Sequence, residues 1–166
     1  MRKTFKEAFK WYQKAADQGY ARAQSNLGVM YNNGLGVEQD FKEAFKWYQK
    51  AADQGDAYAQ SNLGNMYANG QGAEQDFKEA NKWFQKAADQ GQVGGQYHLG
   101  QMYDNGEGVP KDFKEAVKWY RKAAEQGDIH AQTNLGVMYY SGRGVLKDFK
   151  EALKWFQKAA DQGQVG

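Results

Sequence analysis

Five tryptophans, Trp11, Trp47, Trp83, Trp119 and Trp155, stand 36 residues apart. Phe5, Phe41, Phe77, Phe113 and Phe149 keep the same interval, and so do Gly19, Gly55, Gly91, Gly127 and Gly163. In phase with them a Leu-Gly pair recurs at Leu27-Gly28, Leu63-Gly64, Leu99-Gly100 and Leu135-Gly136. A fixed period of this length is the mark of stacked units, each able to bury its apolar face only against a neighbour. The 166 residues therefore hold a short array rather than an irregular domain.

Each period contains two helical patterns, an A helix such as Ala21 to Asn32 and a B helix such as Phe41 to Asp53. Asp40-Phe41-Lys42-Glu43 offers an N-cap acceptor with a glutamate three residues on. Asp76, Asp112 and Asp148 repeat it, and Thr4 takes that place in the first B helix. Gly55 and its equivalents, Gly163 included, are the expected left-handed terminators. Asn33-Gly34-Leu35-Gly36 supplies the turns between helices.

Sorting by a 3.6-residue period gives each B helix a wide apolar arc, in one case Phe41, Ala44, Phe45, Trp47, Tyr48, Ala51 and Ala52. So wide an arc predicts contact with the helices before and after. Ala23, Leu27, Met30 and Tyr31 form the inward face of the first A helix, and Gly28 marks a close helix approach. Lys42, Lys46 and Lys50 lie opposite the arc, in a stripe that repeats along the chain and holds fifteen of the twenty-two basic residues. Glutamates flank that stripe, and a solvated outer face is its expected role.

Ala23 to Tyr31, then Asn33-Gly34-Leu35-Gly36-Val37, then Asp40 to Gly55 with Trp47 and Ala51-Ala52, resembles the Sel-1-like repeat, a relative of the tetratricopeptide repeat with a longer glycine-containing loop. Gly106-Glu107-Gly108-Val109-Pro110-Lys111-Asp112 is similar to that family's loop consensus. The resemblance implies an all-α, right-handed superhelical solenoid of antiparallel helix pairs with A helices lining its concave side. It also implies a bacterial setting and a protein-interaction role. The sequence divides as one array: a lone B helix at 1–19, full units at 20–55, 56–91, 92–127 and 128–163, and a stub of a further unit at 164–166. Gly163-Gln164-Val165-Gly166 copies Gly91-Gln92-Val93-Gly94, so a longer array is expected.

Function is expected on the outward arc of the A helices. There the units differ: Arg22, Ser25, Val29, Asn32 and Asn33; Tyr58, Ser61, Asn65, Ala68 and Asn69; Gly94, Tyr97, Gln101, Asp104 and Asn105; His130, Thr133, Val137, Tyr140 and Ser141. At its edge run Asn26, Asn62 and Asn134, with His98 in the remaining copy. An asparagine amide donates and accepts at once, which suits a peptide backbone, and the resemblance places an asparagine of tetratricopeptide clamps at this position. An equal alternative is that these amides tie neighbouring A helices together. Tyr58, Tyr97, His130 and Tyr140 are the candidate anchors, since aromatic residues dominate many interfaces. Gly94-Gly95 is expected to loosen the start of its helix.

Other classes fit poorly. A net charge of +2 argues against a polyanionic partner, so no nucleic acid is expected, and no apolar run is long enough to span a membrane. With zero cysteines there is no thiolate metal site or cysteine nucleophile. No Ser-x-x-Lys motif is present, and His98 and His130 form no ligand set, so neither cofactor, metal nor catalytic site is expected. The positive start at Met1 has no apolar run behind it, and localisation stays open between cytoplasm and, for part of a longer protein, periplasm or exterior. The expected function is a non-enzymatic scaffold that binds protein or peptide in the A-helix groove. The alternative is end-to-end self-association through exposed terminal helices.

Overall fold

The computed structural model describes residues 2–163, with side chains from Thr4 onward. Among them are nine helices and no strand: α1 (Arg2–Asp17), α2 (Ala21–Asn33), α3 (Phe41–Asp53), α4 (Ala57–Asn69), α5 (Phe77–Asp89), α6 (Val93–Asn105), α7 (Phe113–Glu125), α8 (Ile129–Ser141) and α9 (Phe149–Gly163). The expected stub at 164–166 lies outside the described residues. Two compact units divide the chain, one up to Gln90 and one from Gly91. In unit 1, α2 pairs with α3 and α4 with α5, while α1 packs on α2 and α3 on α4. In unit 2, α6 pairs with α7 and α8 with α9, and α7 packs on α8. The B helices α3 and α7 thus touch helices on both sides, as their wide arcs require.

The caps explain where the helices start. Asp40 Oδ1 accepts from the backbone N–H of Lys42 and Glu43, and Asp76, Asp112 and Asp148 do the same. The glutamate does not complete a reciprocal box. Glu43 pairs with Lys46, while the Asp40 N–H donates to the Tyr31 carbonyl at 3.0 Å. The tyrosine carbonyl of each A helix thereby fixes the start of its B helix. Thr4 is no cap: α1 already runs from Arg2, since arginine and lysine favour helix and no tyrosine carbonyl among the described residues holds Thr4 extended. Gly55 has φ 94° and ends α3 as expected, whereas Gly163 remains within α9.

Each A helix seats its glycine on an aromatic ring of its B partner. A Cβ on Gly28 would fall 2.6 Å from Tyr48 Cδ1, and one on Gly100 2.6 Å from Tyr120 Cδ1. Gly64 meets Phe84 and Gly136 meets Phe156 in the same way. Around these contacts Leu27, Leu63, Leu99 and Leu135 are fully buried, and Trp47, Trp83, Trp119 and Trp155 are at most 8% exposed.

A buried glutamine, unforeseen from the sequence, joins consecutive pairs. Gln24 donates to the Ala16 carbonyl of α1 at 3.2 Å and accepts from Gln54 Nε2, beyond α3, at 2.7 Å. Gln60 does the same with Ala52 and Gln90, and Gln132 with Ala124 and Gln162. Buried polar groups are tolerated when so satisfied, and here one amide holds three successive elements.

The lysine stripe also has structural work. Lys46, Lys82, Lys118 and Lys154 pair with the glutamates three residues earlier. Lys50, Lys86, Lys122 and Lys158 lie over the tryptophan rings, at 4.2 to 4.7 Å from their centroids.

Candidate functional site

The outward arc of the A helices differs between the two units. In unit 1, Asn26 on α2 and Asn62 on α4 are half-buried, and their side-chain amides have no hydrogen-bond partner among the described residues. Val29 and Asn65 lie one helical turn further along the same face, also half-buried. Ser25 and Ser61 are a correction: expected on the outward arc, they are 2% and 4% exposed. The A helices α2 and α4 touch each other, and a serine is small enough to fit such an approach. Arg22 projects to solvent, 3.6 Å from Asp56 and 4.9 Å above the exposed Tyr58 ring. This end of the face is a cation stacked on an aromatic.

In unit 2 the position of Ser25 is Tyr97, and the large ring reorganises everything beside it. Its centroid lies 5.9 Å from His130 on α8, 5.2 Å from His98 and 6.1 Å from Tyr120. Gln101 Nε2 donates to the Tyr97 hydroxyl at 2.9 Å, and Gln101 Oε1 faces His98 Nδ1 at 3.1 Å. With Gln101 donating on one side, the pair is satisfied when His98 Nδ1 carries the proton. The Asn134 side chain faces the hydroxyls of both Tyr97 and Tyr120 and works against the rise of their pKa values. Tyr120 donates to Asp104 Oδ2 at 3.3 Å, and Asp104 Oδ1 holds Arg143 at 3.4 Å. The asparagine of the ladder thus has phenols of its own protein beside it here.

Burial governs the protonation of this cluster. It raises the phenols of Tyr97 and Tyr120 above their ordinary value, with Asp128 and Asp104 respectively adding to the effect. Burial lowers His98, against the Gln101 hydrogen bond and the Asp128 charge, which raise it. At neutral pH the cluster therefore holds neutral phenols and a largely neutral imidazole.

Val137 and Tyr140 are exposed on α8, and Tyr140 makes an edge contact with Phe149 at 5.3 Å. The candidate residues of unit 2, Tyr97, His98, Gln101, Asp104, His130 and Asn134, are thus brought into one connected cluster, with Val137 and Tyr140 further along α8. Tyr120 and Arg143 were missed: the first carries the core pattern, and the second lies in a loop. The loosening expected at Gly94-Gly95 does not break the helix, since α6 begins at Val93 with Gln92 capping Gly95 N at 2.5 Å. Among the described residues no three histidines, cysteines or carboxylates gather as a metal site, and no helix is long and apolar enough to cross a membrane.

Repeated helix pairs of 36 residues, glycine-on-ring packing and capped B helices define a helical-repeat protein. The Sel1 repeat model matches five times, at residues 5–20, 21–56, 57–92, 93–128 and 129–164, and the chain belongs to the Sel1 repeat family. A protective antigen of uropathogenic Escherichia coli strains, c5321, displays the same fold with a TM-score of 0.90 and 42% identity over 95% of this chain. A Sel1 repeat protein from Oxalobacter formigenes gives 0.90 and 40% over 96%. The immunity protein Pa5087 of Pseudomonas aeruginosa gives 0.63 and 28% over 93% of this chain and 57% of its own length. The chain spans 34% of the Escherichia coli antigen's structure and 64% of the Oxalobacter one. None of the curated protein sequences matches the chain.

Proposed function

We propose that the chain is a non-enzymatic scaffold that binds a polypeptide partner on the outward face of its A helices. The observation that carries this reading is the pair of uncommitted amides, Asn26 and Asn62, at the same position of two touching helices in unit 1. Half-desolvated amides without a partner gain from one, and an amide suits the alternating donors and acceptors of a peptide backbone. Val29 and Asn65 flank them, and Tyr58 with its stacked Arg22 offers an anchor at one end. In unit 2, His130 and Tyr97 form the corresponding aromatic anchor, with Tyr140 at the other end of α8. Solved relatives include an antigen and an immunity protein, roles compatible with protein recognition.

Selection from a random 12-residue peptide display library on the intact chain tests this reading. Enriched peptides are expected to lose at least tenfold in affinity with Asn26→Ala/Asn62→Ala, and to be lost with Tyr58→Glu/Tyr97→Glu. No enrichment, or peptides indifferent to both variants, overturns it.

A second reading has its own observation. Trp11 is 69% exposed where Trp47 is 8%, and Leu153 on α9 is 66% exposed. Exposed apolar helix faces of this kind favour end-to-end self-association. Concentration-dependent light scattering of the unmutated chain separates the two readings, and a purely monomeric profile removes the second.

A further inference from the structure

The loop ends of the two units are built on one plan and carry opposite charge. In unit 1 a crevice of about 640 Å3 opens where the α4–α5 loop passes the start of α3. Phe41 lies in it, Gly72 and Ala73 line the loop side, and Asp40, Lys42 and Glu74 stand around it. The loop is seated tightly, since a Cβ on Gly72 would fall 2.2 Å from the Phe41 carbonyl oxygen. Ala73 takes a position that is valine in three other copies, Val37, Val109 and Val145, which leaves the crevice wider. Gln39 does not cover the ring, because its Nε2 is turned back to the Asn32 carbonyl at 2.7 Å.

The matching place in unit 2 is occupied. Arg143 and Lys111 both lie over Phe113, at 5.4 and 5.8 Å from its centroid. These cations replace Gln71 and Gln39 of unit 1, and Leu146 replaces Glu74. So unit 2 carries the cations within its own chain and no carboxylate at position 146. Unit 1 has the carboxylate, and among the described residues no cation over Phe41.

We propose that the Phe41 crevice of unit 1 receives a basic side chain, an arginine of a partner polypeptide. Its guanidinium lies on the Phe41 ring as Arg143 lies on Phe113, and Glu74 and Asp40 supply the opposing charge. A planar cation gains from a ring face and a carboxylate together, and lysine lacks the fork that would use both. Asp40 keeps its cap, because only its Oδ1 is bound to the helix start. Lys42 is the like charge among the lining residues, on a long stem that lets its ammonium turn to solvent. This site lies at the loop end and not on the A-helix face, and neither reading depends on the other.

Amide NMR titration of the intact chain with the blocked tripeptide Gly-Arg-Gly, and with its neutral citrulline counterpart, tests the proposal. The arginine peptide is expected to shift the amides of Phe41, Gly72, Ala73 and Glu74 and to bind about tenfold more tightly than the citrulline peptide. Two variants transplant residues that unit 2 already accommodates. Asn32→Asp/Gln71→Arg places a cation over Phe41 from within, and Glu74→Leu removes the carboxylate. Each should weaken the arginine peptide at least about fivefold with the helical circular dichroism unchanged. Equal binding of the citrulline peptide overturns the proposal. So do shifts confined to other residues, or an affinity that the internal arginine leaves untouched.

Discussion

Unit 1 and unit 2 share their glycine seats, aspartate caps and glutamine staples and differ in what surrounds the amide at one recurring position of their A helices. In unit 1 the neighbouring residue is a buried serine, and Asn26 and Asn62 remain uncommitted. In unit 2 the serine's place on α6 is taken by Tyr97, and Asn134 on α8 faces two phenol hydroxyls that a glutamine and an aspartate hold. One small-to-large change thus sets the protein's own phenols beside an amide position that stays open in unit 1. Unit 2 gathers its polar groups into an internal network, and unit 1 leaves two amides without a partner among the described residues.

The most damaging way to probe the difference is through the glycine seats. Gly100→Ala pushes a methyl into the Tyr120 ring, and Gly28→Ala does the same to Tyr48. Overpacking of this kind costs about 1–3 kcal/mol, offset in part by alanine's better helix propensity. Tyr120 also carries the hydrogen bond to Asp104, whereas burial raises Tyr48, which has no such partner among the described residues. Gly100→Ala is therefore expected to be worse by roughly 1 kcal/mol. Urea unfolding followed by circular dichroism measures both, and equal losses would mean that the Tyr120 network adds nothing.

Next in size is Tyr97→Ser, which rebuilds the unit 1 arrangement in unit 2. It removes a half-buried ring and the acceptor of Gln101, at an expected cost of about 2 kcal/mol. It should also take the phenol away from Asn134, so a peptide selected on unit 1 should gain affinity for this variant. A variant that loses stability without that gain would show that Asn134 finds another internal partner.

Why this difference was only half legible follows from the residues themselves. The repeat, the caps at Asp40 to Asp148, and the glycine approaches are periodic, so sequence position stands in for spatial position. The departure at Tyr97 and His98 was visible, but its consequence depends on which groups α7 and α8 bring alongside. Tyr120 looks like core because its ring is core. Only its hydroxyl reaches the polar cluster, and helical periodicity does not locate single atoms. Ser25 misled for the opposite reason: a polar residue on the outer arc is buried where the touching A helices need a small side chain. The glutamine staple was within reach, since Gln24 and Gln54 recur together in every unit, yet a glutamine at a helix start is commonly solvated.

A smaller effect should appear in the pH dependence of unit 2. Burial lowers His98 below its ordinary value, so the unfolded chain takes up a proton first as pH falls. Stability is then fully present above the unfolded pKa of about 6.5 and declines as pH falls from there through the folded value. His98→Asn, the residue of the other three copies, should flatten this slope between neutral and mildly acidic pH. Thermal melts across that range decide the matter, and identical slopes for the two proteins would place the acid sensitivity elsewhere.

Smallest of all is the expected stability change from Asn26→Ala and Asn62→Ala. Neither amide has a hydrogen-bond partner among the described residues, and alanine favours helix, so each substitution should lie within about 0.5 kcal/mol of the parent. The contrast with Asn134→Ala sharpens the comparison. That change removes the amide that faces the Tyr97 and Tyr120 hydroxyls in a half-buried setting, and should cost about 1–2 kcal/mol. Denaturant midpoints at matched slopes give the three values directly. If Asn62→Ala destabilised as much as Asn134→Ala, the unit 1 amides would be helix-to-helix ties, and the argument for an outside ligand on that face would fail.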